Sequence, residues 1–90
     1  MTPYILFHIT RRFSRDEVTG EEIVGVFYSP ITDARYSGCA WVIQAEDPSS
    51  ALELGKSYFP NFPPGFLAVE PLADFEKRKR INYLVRNEHG

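Results

Sequence analysis

Hydrophobic and polar residues alternate along the first third of the chain in the pattern of a β-hairpin. Residues 4–10 are rich in β-branched and aromatic side chains, and both their odd-numbered and even-numbered positions are largely apolar. Residues 22–29 form a second run of this kind, and the charged segment between the two runs contains the turn signal Val-Thr-Gly at 18–20. The pattern predicts a long antiparallel hairpin with a polar tip, whose first strand lies near the centre of a sheet.

A third strand and a well-marked helix follow the hairpin. Residues 39–45 read CAWVIQA and predict a strand. Asp47 is a favourable N-cap because its carboxylate accepts hydrogen bonds from free amides, and Pro48 suits the first helical position, where an N–H is not needed. Apolar residues then recur at helical spacing and predict a helix over 48–58. We expect Gly55 to let this helix lie close to the sheet, because glycine is otherwise unfavourable inside a helix.

The last third of the chain predicts a fourth strand and a second helix. Residues 66–69 read as a short strand that ends near a proline. The segment 73–86 fits two patterns, because acidic residues near its start match a helix dipole whereas INYLVR alternates like a strand. We expect a helix over 73–86. Two ion pairs would stabilise it, Asp74 with Arg78 and Glu76 with Arg80.

These elements predict a single α+β domain over residues 1–90. The expected architecture is an antiparallel sheet of about four strands with one or two helices packed on one face, in the order β-β-β-α-β-α. Seven Phe, five Tyr and one Trp supply much of the apolar surface that a chain of 90 residues needs to bury.

Charge and cysteine content limit the functions that this domain could have. A formal net charge of −2 argues against a dedicated binder of duplex DNA. The single cysteine, Cys39, excludes an internal disulfide, which favours a reducing compartment. The apolar run at 4–9 is too short for a signal peptide or a membrane span. We therefore expect a cytoplasmic protein, in its own cell or in a host, that has no membrane partner.

The sequence contains no pattern typical of catalysis or of cofactor binding. One Cys and two His, of which His89 lies beside the C-terminus, do not match the spacing of a zinc site. Neither a nucleophile elbow nor a glycine-rich phosphate loop occurs. We expect no catalytic residue, no metal, no cofactor and no enzyme activity. A pocket that holds a carboxylate with a strongly raised pKa would change this view.

Two basic groups raise the alternative of a protein that binds single-stranded nucleic acid. The residues are Arg11, Arg12 and Arg15, which follow the first strand, and Lys77, Arg78, Lys79 and Arg80 on the expected last helix. The plentiful Tyr and Phe side chains could stack on bases. Four consecutive basic residues point around most of a helix, however, so a solvated helix face is the plainer interpretation.

The stretch FPNFPPGF at 59–66 carries three phenylalanine rings on a segment that its prolines stiffen. Such rings either close the open end of a thin core or present a preorganised apolar group to a partner. We expect Phe59 and Phe66 to point inward, from the end of the helix and the start of the strand. Phe62 is the ring that we expect to face outward and bind a partner.

The tip of the hairpin is a second candidate for partner binding. Its acidic residues are Asp16, Glu17, Glu21 and Glu22. They could meet a basic surface on a partner and speed the encounter, or they could simply keep the hairpin end soluble. A homodimer formed through an exposed sheet edge is a further option, although the sequence does not show which strand lies at the edge.

The sequence therefore predicts a non-enzymatic regulator or inhibitor that occupies a surface of a larger protein or protein complex. Regulatory proteins of phages and mobile elements, anti-CRISPR proteins among them, resemble this chain in size and character, and the comparison extends no further. The alternative is a small protein that binds single-stranded nucleic acid. Salt distinguishes the two hypotheses, because nucleic-acid binding weakens steeply as salt rises from about 50 to about 200 mM.

Overall fold

The computed structural model describes residues 1–33, 35, 38–63, 65–80 and 83–86, with the backbone alone for 84–86. The described chain forms one sheet with two helices. The strands are β1 (Thr2–Arg15), β2 (Glu22–Pro30), β3 (Thr32–Asp33), β4 (Cys39–Ala45), β5 (Leu67–Pro71) and β6 (Tyr83–Arg86). The helices are α1 (Pro48–Tyr58), which precedes β5, and α2 (Leu72–Glu76), which follows it.

The long strand β1 organises the sheet, because β2, β4 and β5 all pair with it in antiparallel fashion. Tyr4 and Ile5 pair with both β4 and β5, so these two strands lie on opposite edges of β1. Phe7 and His8 pair with both β2 and β5, which places β2 on the same edge as β4, farther along β1. Strand β4 also pairs with β3 in antiparallel fashion and with β6 in parallel fashion.

The chain changes neighbours at Ile31, between β2 and β3. The Ile31 N–H donates to the Leu6 carbonyl at 3.0 Å, and the Ile31 carbonyl accepts from the Trp41 N–H at 2.9 Å. The β2–β3 run therefore lies between β1 and β4 at the point where those two strands separate. From this point β1 and β2 continue together, away from the rest of the sheet.

Each face of the sheet is covered by a different helix. Ile5 and Phe7 point to one face, which we call the Phe7 face, and they pack with Leu72 and Phe75 of α2. The opposite face, which we call the Leu6 face, carries Tyr4 and Ala45, which pack with Ala51 of α1. The α+β class and the antiparallel sheet are confirmed. The expectation that the helices share one face is wrong. Both the odd-numbered and the even-numbered residues in the inner part of β1 are largely apolar, so each face of the sheet needs a helix to cover it.

Helix α1 follows the prediction closely. The Asp47 carboxylate accepts a hydrogen bond from the Ser50 N–H at 2.7 Å, and Pro48 is the first helical residue. The helix spans Pro48–Tyr58, as its apolar spacing predicts. A Cβ atom at Gly55 would lie 2.7 Å from Cδ1 of Leu6, which is fully buried. The close approach that we expected of this glycine is confirmed.

The C-terminal segment differs from the predicted helix over 73–86. Helix α2 covers only Leu72–Glu76, and the alternating residues that follow it include β6, which pairs with β4. Pairing with a buried neighbouring strand stabilises this run more than continued helix would. The expected ion pairs change accordingly: Lys77 pairs with Asp74 at 3.7 Å, and Arg78 pairs with Glu70 on β5.

Candidate interaction surface

The outer part of the β1–β2 hairpin protrudes from the body of the protein as a two-stranded arm. We define the arm as residues 9–28. The molecule measures 54 × 27 × 26 Å, and no buried core residue of the described chain lies in the arm. The Ile9 N–H donates to the Phe66 carbonyl at 2.8 Å, and beyond Ile9 the only described strand beside β1 is β2. The arm therefore exposes both of its faces.

Most of the side chains on the Phe7 face of the arm are apolar. Paired residues of antiparallel strands share a face, and Phe13 pairs with Val24 while Ile9 pairs with Tyr28. The Phe13 and Tyr28 residues are 67% and 60% exposed. We call the exposed apolar residues of this face the apolar strip: Phe13, Val24, Val26 and Tyr28. Arg11 and Arg15 lie among them on the same face, opposite Val26 and Glu22.

The Leu6 face of the arm is partly covered by its own side chains. The Phe27 ring lies over Gly25, where a Cβ atom would come within 2.9 Å of the ring. The Arg12 guanidinium lies 5.3 Å from the centre of the same ring, a cation–π contact that occupies this arginine. Ile23 is exposed on this face to the same extent as Val26 on the other, 48% in each case.

A cleft of about 490 Å³ lies at the base of the arm, on the side where α2 ends. Its apolar wall includes Phe7, Tyr28 and Phe75, and Lys79 and Arg78 contribute cationic groups. The carboxylate of Glu70 forms two hydrogen bonds with Arg78 and raises the pKa of its guanidinium. The cleft thus joins an apolar interior to a positively charged rim, and Tyr28 connects it to the apolar strip.

The tip of the arm is a turn in which one acidic side chain has a structural role. The Asp16 carboxylate accepts from the N–H groups of Val18 and Thr19 at 2.7 and 3.2 Å. Gly20 takes a φ of +74°, a conformation that favours glycine. Three of the predicted acidic residues remain free to meet a partner, and all three are exposed: Glu17, Glu21 and Glu22.

The predicted basic residues do not form one patch. Arg11 and Arg15 lie on the Phe7 face of the arm, whereas Arg12 lies on the Leu6 face. Lys77 and Arg78 are engaged by carboxylates near α2. Lys79 and Arg80 are exposed, and neither makes an ion pair with another residue that the structure describes.

The aromatic loop packs mainly against the protein itself. The Phe62 ring lies 4.8 Å from the His8 ring and 5.7 Å from the Phe59 ring, and Phe59 packs against Trp41 at 5.0 Å. Phe62 is therefore half-buried, whereas Phe66 is 38% exposed. The expected directions of these two rings are wrong, because the side chain of His8 on the Leu6 face offers Phe62 an aromatic neighbour. A partner-binding role for Phe62 stays a prediction.

Asp33 is a buried carboxylate that the sequence did not single out. It accepts from the backbone N–H, Nε and Nη2 of Arg35 at 3.0, 3.1 and 2.9 Å. This bidentate contact satisfies the carboxylate and holds Arg35 beside the end of β3. An Asp and an Arg two residues apart are too common in loops to have signalled this pair.

Two features are absent from the part of the chain that the structure describes. Within that part of the chain, no group of three His, Cys, Asp or Glu side chains converges as metal ligands do. None of the helices in it has the length and apolar character needed to cross a membrane. Comparisons with protein-family models, with curated proteins and with solved structures find no match.

Proposed function

We propose that this protein is a non-enzymatic regulator or inhibitor that acts by occupying a surface of a larger protein partner. The observation that carries the proposal is the apolar strip on the protruding arm. Exposed aromatic and β-branched side chains that adjoin one another are typical of a recognition surface, because soluble monomers rarely expose large contiguous apolar patches to water. The same proposal places the protein in the cytoplasm of its own cell or of a host.

The cleft at the base of the arm suggests how the partner would be anchored. A large apolar side chain of the partner would fill the space beside Phe7, Tyr28 and Phe75. Lys79 at the rim would attract an acidic group next to that side chain, because it lacks an ion pair among the described residues. The partner surface is therefore expected to be apolar at its centre and acidic beside it.

The acidic tip would act in the encounter more than in the final affinity. Glu17, Glu21 and Glu22 project at the far end of the arm, where solvent screens them. Charges at the rim of an interface mainly change the association rate and its dependence on salt. Replacing them should slow association with a basic partner surface and leave dissociation nearly unchanged.

A pull-down from the native cell or host tests this function, with nuclease treatment and with salt at about 50 and about 200 mM. The expected result is a protein that stays bound after nuclease treatment and at the higher salt concentration. Recovery of nucleic acid alone, with every captured protein lost on nuclease treatment, would contradict the proposal.

Binding of single-stranded nucleic acid is a second candidate, and one observation favours it. Arg11 and Arg15 share a face with Phe13 and Tyr28, so that cations and aromatic rings alternate along the arm. Bases could stack on the rings while the arginines meet phosphates. In that case affinity for a labelled single strand should fall steeply over the same salt range, whereas a protein interface centred on the apolar strip should respond little.

A further inference from the structure

The outer edge of β2 has no neighbouring strand in the described chain, since β2 pairs only with β1. Such an edge presents backbone groups that are ready to pair with another strand. The edge offers backbone groups of β2, whereas the apolar strip consists of side chains on one face of the arm, so an inference about the edge goes beyond the proposed function.

The positions of two hydrogen bonds show which residues direct their backbone groups outward from this edge. The Asp16 N–H donates to the Glu21 carbonyl, and the Ile31 N–H donates to the Leu6 carbonyl. Both pairs belong to the β1–β2 register, in which hydrogen-bonded and non-hydrogen-bonded pairs alternate. The odd-numbered residues of β2 therefore bond to β1. The outward set is even-numbered: Glu22, Val24, Val26 and Tyr28.

The side chains on the two edges of the arm differ in charge, and this difference favours strand pairing along β2 over pairing along β1. The β1 edge carries Arg11, Arg12 and Arg15, and like charges of this kind discourage a second β1 from pairing there. The β2 edge carries no charged side chain from Ile23 to Ser29. Pairing is therefore discouraged along β1 and permitted along β2.

We propose that a second copy of this chain pairs with the β2 edge about a two-fold axis, so that the two arms form one four-stranded antiparallel sheet. Each of the four outward residues pairs with an outward residue of the second copy when Glu22 lies opposite the second copy's Tyr28 and Val24 lies opposite the second copy's Val26. In this register the axis passes between the two Gly25 residues. The two Gly25 residues then form a non-hydrogen-bonded pair, the close type of pair in an antiparallel ladder, and neither has a side chain of its own in the way.

The charges at the two ends of the arm identify the second copy as the occupant of the edge. An antiparallel arrangement brings the acidic tip of each copy to the base of the other arm, because Glu22 lies beside the second copy's Tyr28. Tyr28 lines the cleft, and at its rim Glu70 already binds Arg78, so that Lys79 is the cation that no described carboxylate pairs. Acidic residues thus meet a basic rim at both ends, and uncharged residues meet in the middle, as a self-complementary two-fold interface requires.

The test is the mass of the protein in solution, measured by sedimentation for the wild type and for two variants of Val26. Val26→Pro removes an outward N–H without touching the bonds between β1 and β2, and Val26→Thr keeps that N–H as the matched control. We expect the wild type and Val26→Thr to sediment with about twice the mass of a 10.3 kDa chain. Val26→Pro should sediment with the mass of one chain.

A wild type that is monomeric at all concentrations would overturn the proposal and leave the edge to a strand of another protein. A dimeric Val26→Pro variant would overturn it as well, because the copies would then associate elsewhere. If Val26→Pro fails to fold, oxidation of Gly25→Cys decides, in a background where Phe27→Ala removes the ring that a Cβ atom at Gly25 would contact and Cys39→Ser removes the native thiol. A disulfide-linked dimer supports the two-fold register, and its absence contradicts it. None of these measurements uses the larger partner, so a negative result would count against the homodimer and not against the proposed function.

Discussion

At the scale of single residues, Gly55 sets the distance between α1 and the sheet. A Cβ atom there would come within 2.7 Å of Cδ1 of Leu6, a side chain without freedom to move because it is fully buried. Gly55→Ala should destabilise the protein by up to about 2 kcal/mol in urea unfolding, since overpacking costs about 1–3 kcal/mol and the helix propensity of alanine offsets about 1. In a Leu6→Val background the same change should cost less, and an equal cost would contradict the contact.

Asp47 makes the stability of the protein depend on pH at the start of α1. Hydrogen bonds from Ser50, backbone and then side chain, lower the pKa of this carboxyl below its ordinary value of 3.8. A lowered folded-state pKa means that the stabilisation is complete above pH 3.8 and is lost as pH falls through the folded-state value.

The matched variant is Asp47→Asn, which keeps a capping acceptor and does not titrate. Thermal unfolding should show that the wild type loses melting temperature relative to Asp47→Asn only as pH falls below 3.8. A difference between the two proteins that stays constant down to the lowest pH would show that the charged cap does not matter.

At the scale of elements, the arm should be separable from the body of the protein. Every buried core residue of the described chain lies outside the arm, and Thr10 and Phe27 form a hydrogen-bonded pair at which a tight turn can close the hairpin. Replacing residues 11–26 by Asn-Gly should leave cooperative urea unfolding and the near-ultraviolet signal of Trp41 intact. The shortened protein should neither dimerise nor bind the partner. Loss of cooperative unfolding would show that the arm stabilises the body.

The elements that the sequence predicts well are those with local signals. Asp47 and Pro48 mark the start of α1, and its apolar spacing gives its length, because a cap and a helical face depend on neighbouring residues alone. The hairpin is equally local, with two apolar runs around a turn. The Gly55 contact follows from glycine at a helix position that faces a sheet.

The features that the sequence did not predict depend on contacts between distant segments. Whether the segment after α2 continues as helix depends on β4, with which β6 pairs in parallel. Whether Phe62 points inward depends on His8, far away in the sequence. The apolar strip escaped prediction because residues 11–15 look like part of the charged segment between the two strands, whereas β1 continues to Arg15. Only the position of β5 shows that this part of β1 has no second neighbour among the described strands.

At the scale of the whole molecule, the protein is elongated, and we expect its binding surface at the arm and at the base of the arm. The acidic tip and the basic rim of the cleft separate charge along the arm, although the net charge is only −2. Long-range attraction between this protein and a partner is therefore weak overall and strong locally. Binding should depend on salt mainly through the association rate.

The central claim is that the protein acts through the Phe7 face of its arm, and a titration of the purified partner with two variants tests it most directly. Phe13→Asp changes the apolar strip on β1, away from the β2 edge, and Ser14→Asp places the same charge on the opposite face of the same strand. We predict that Phe13→Asp raises the dissociation constant by about 30-fold or more and that Ser14→Asp changes it by no more than about threefold. Equal loss in both variants, or no loss in Phe13→Asp, would contradict the account.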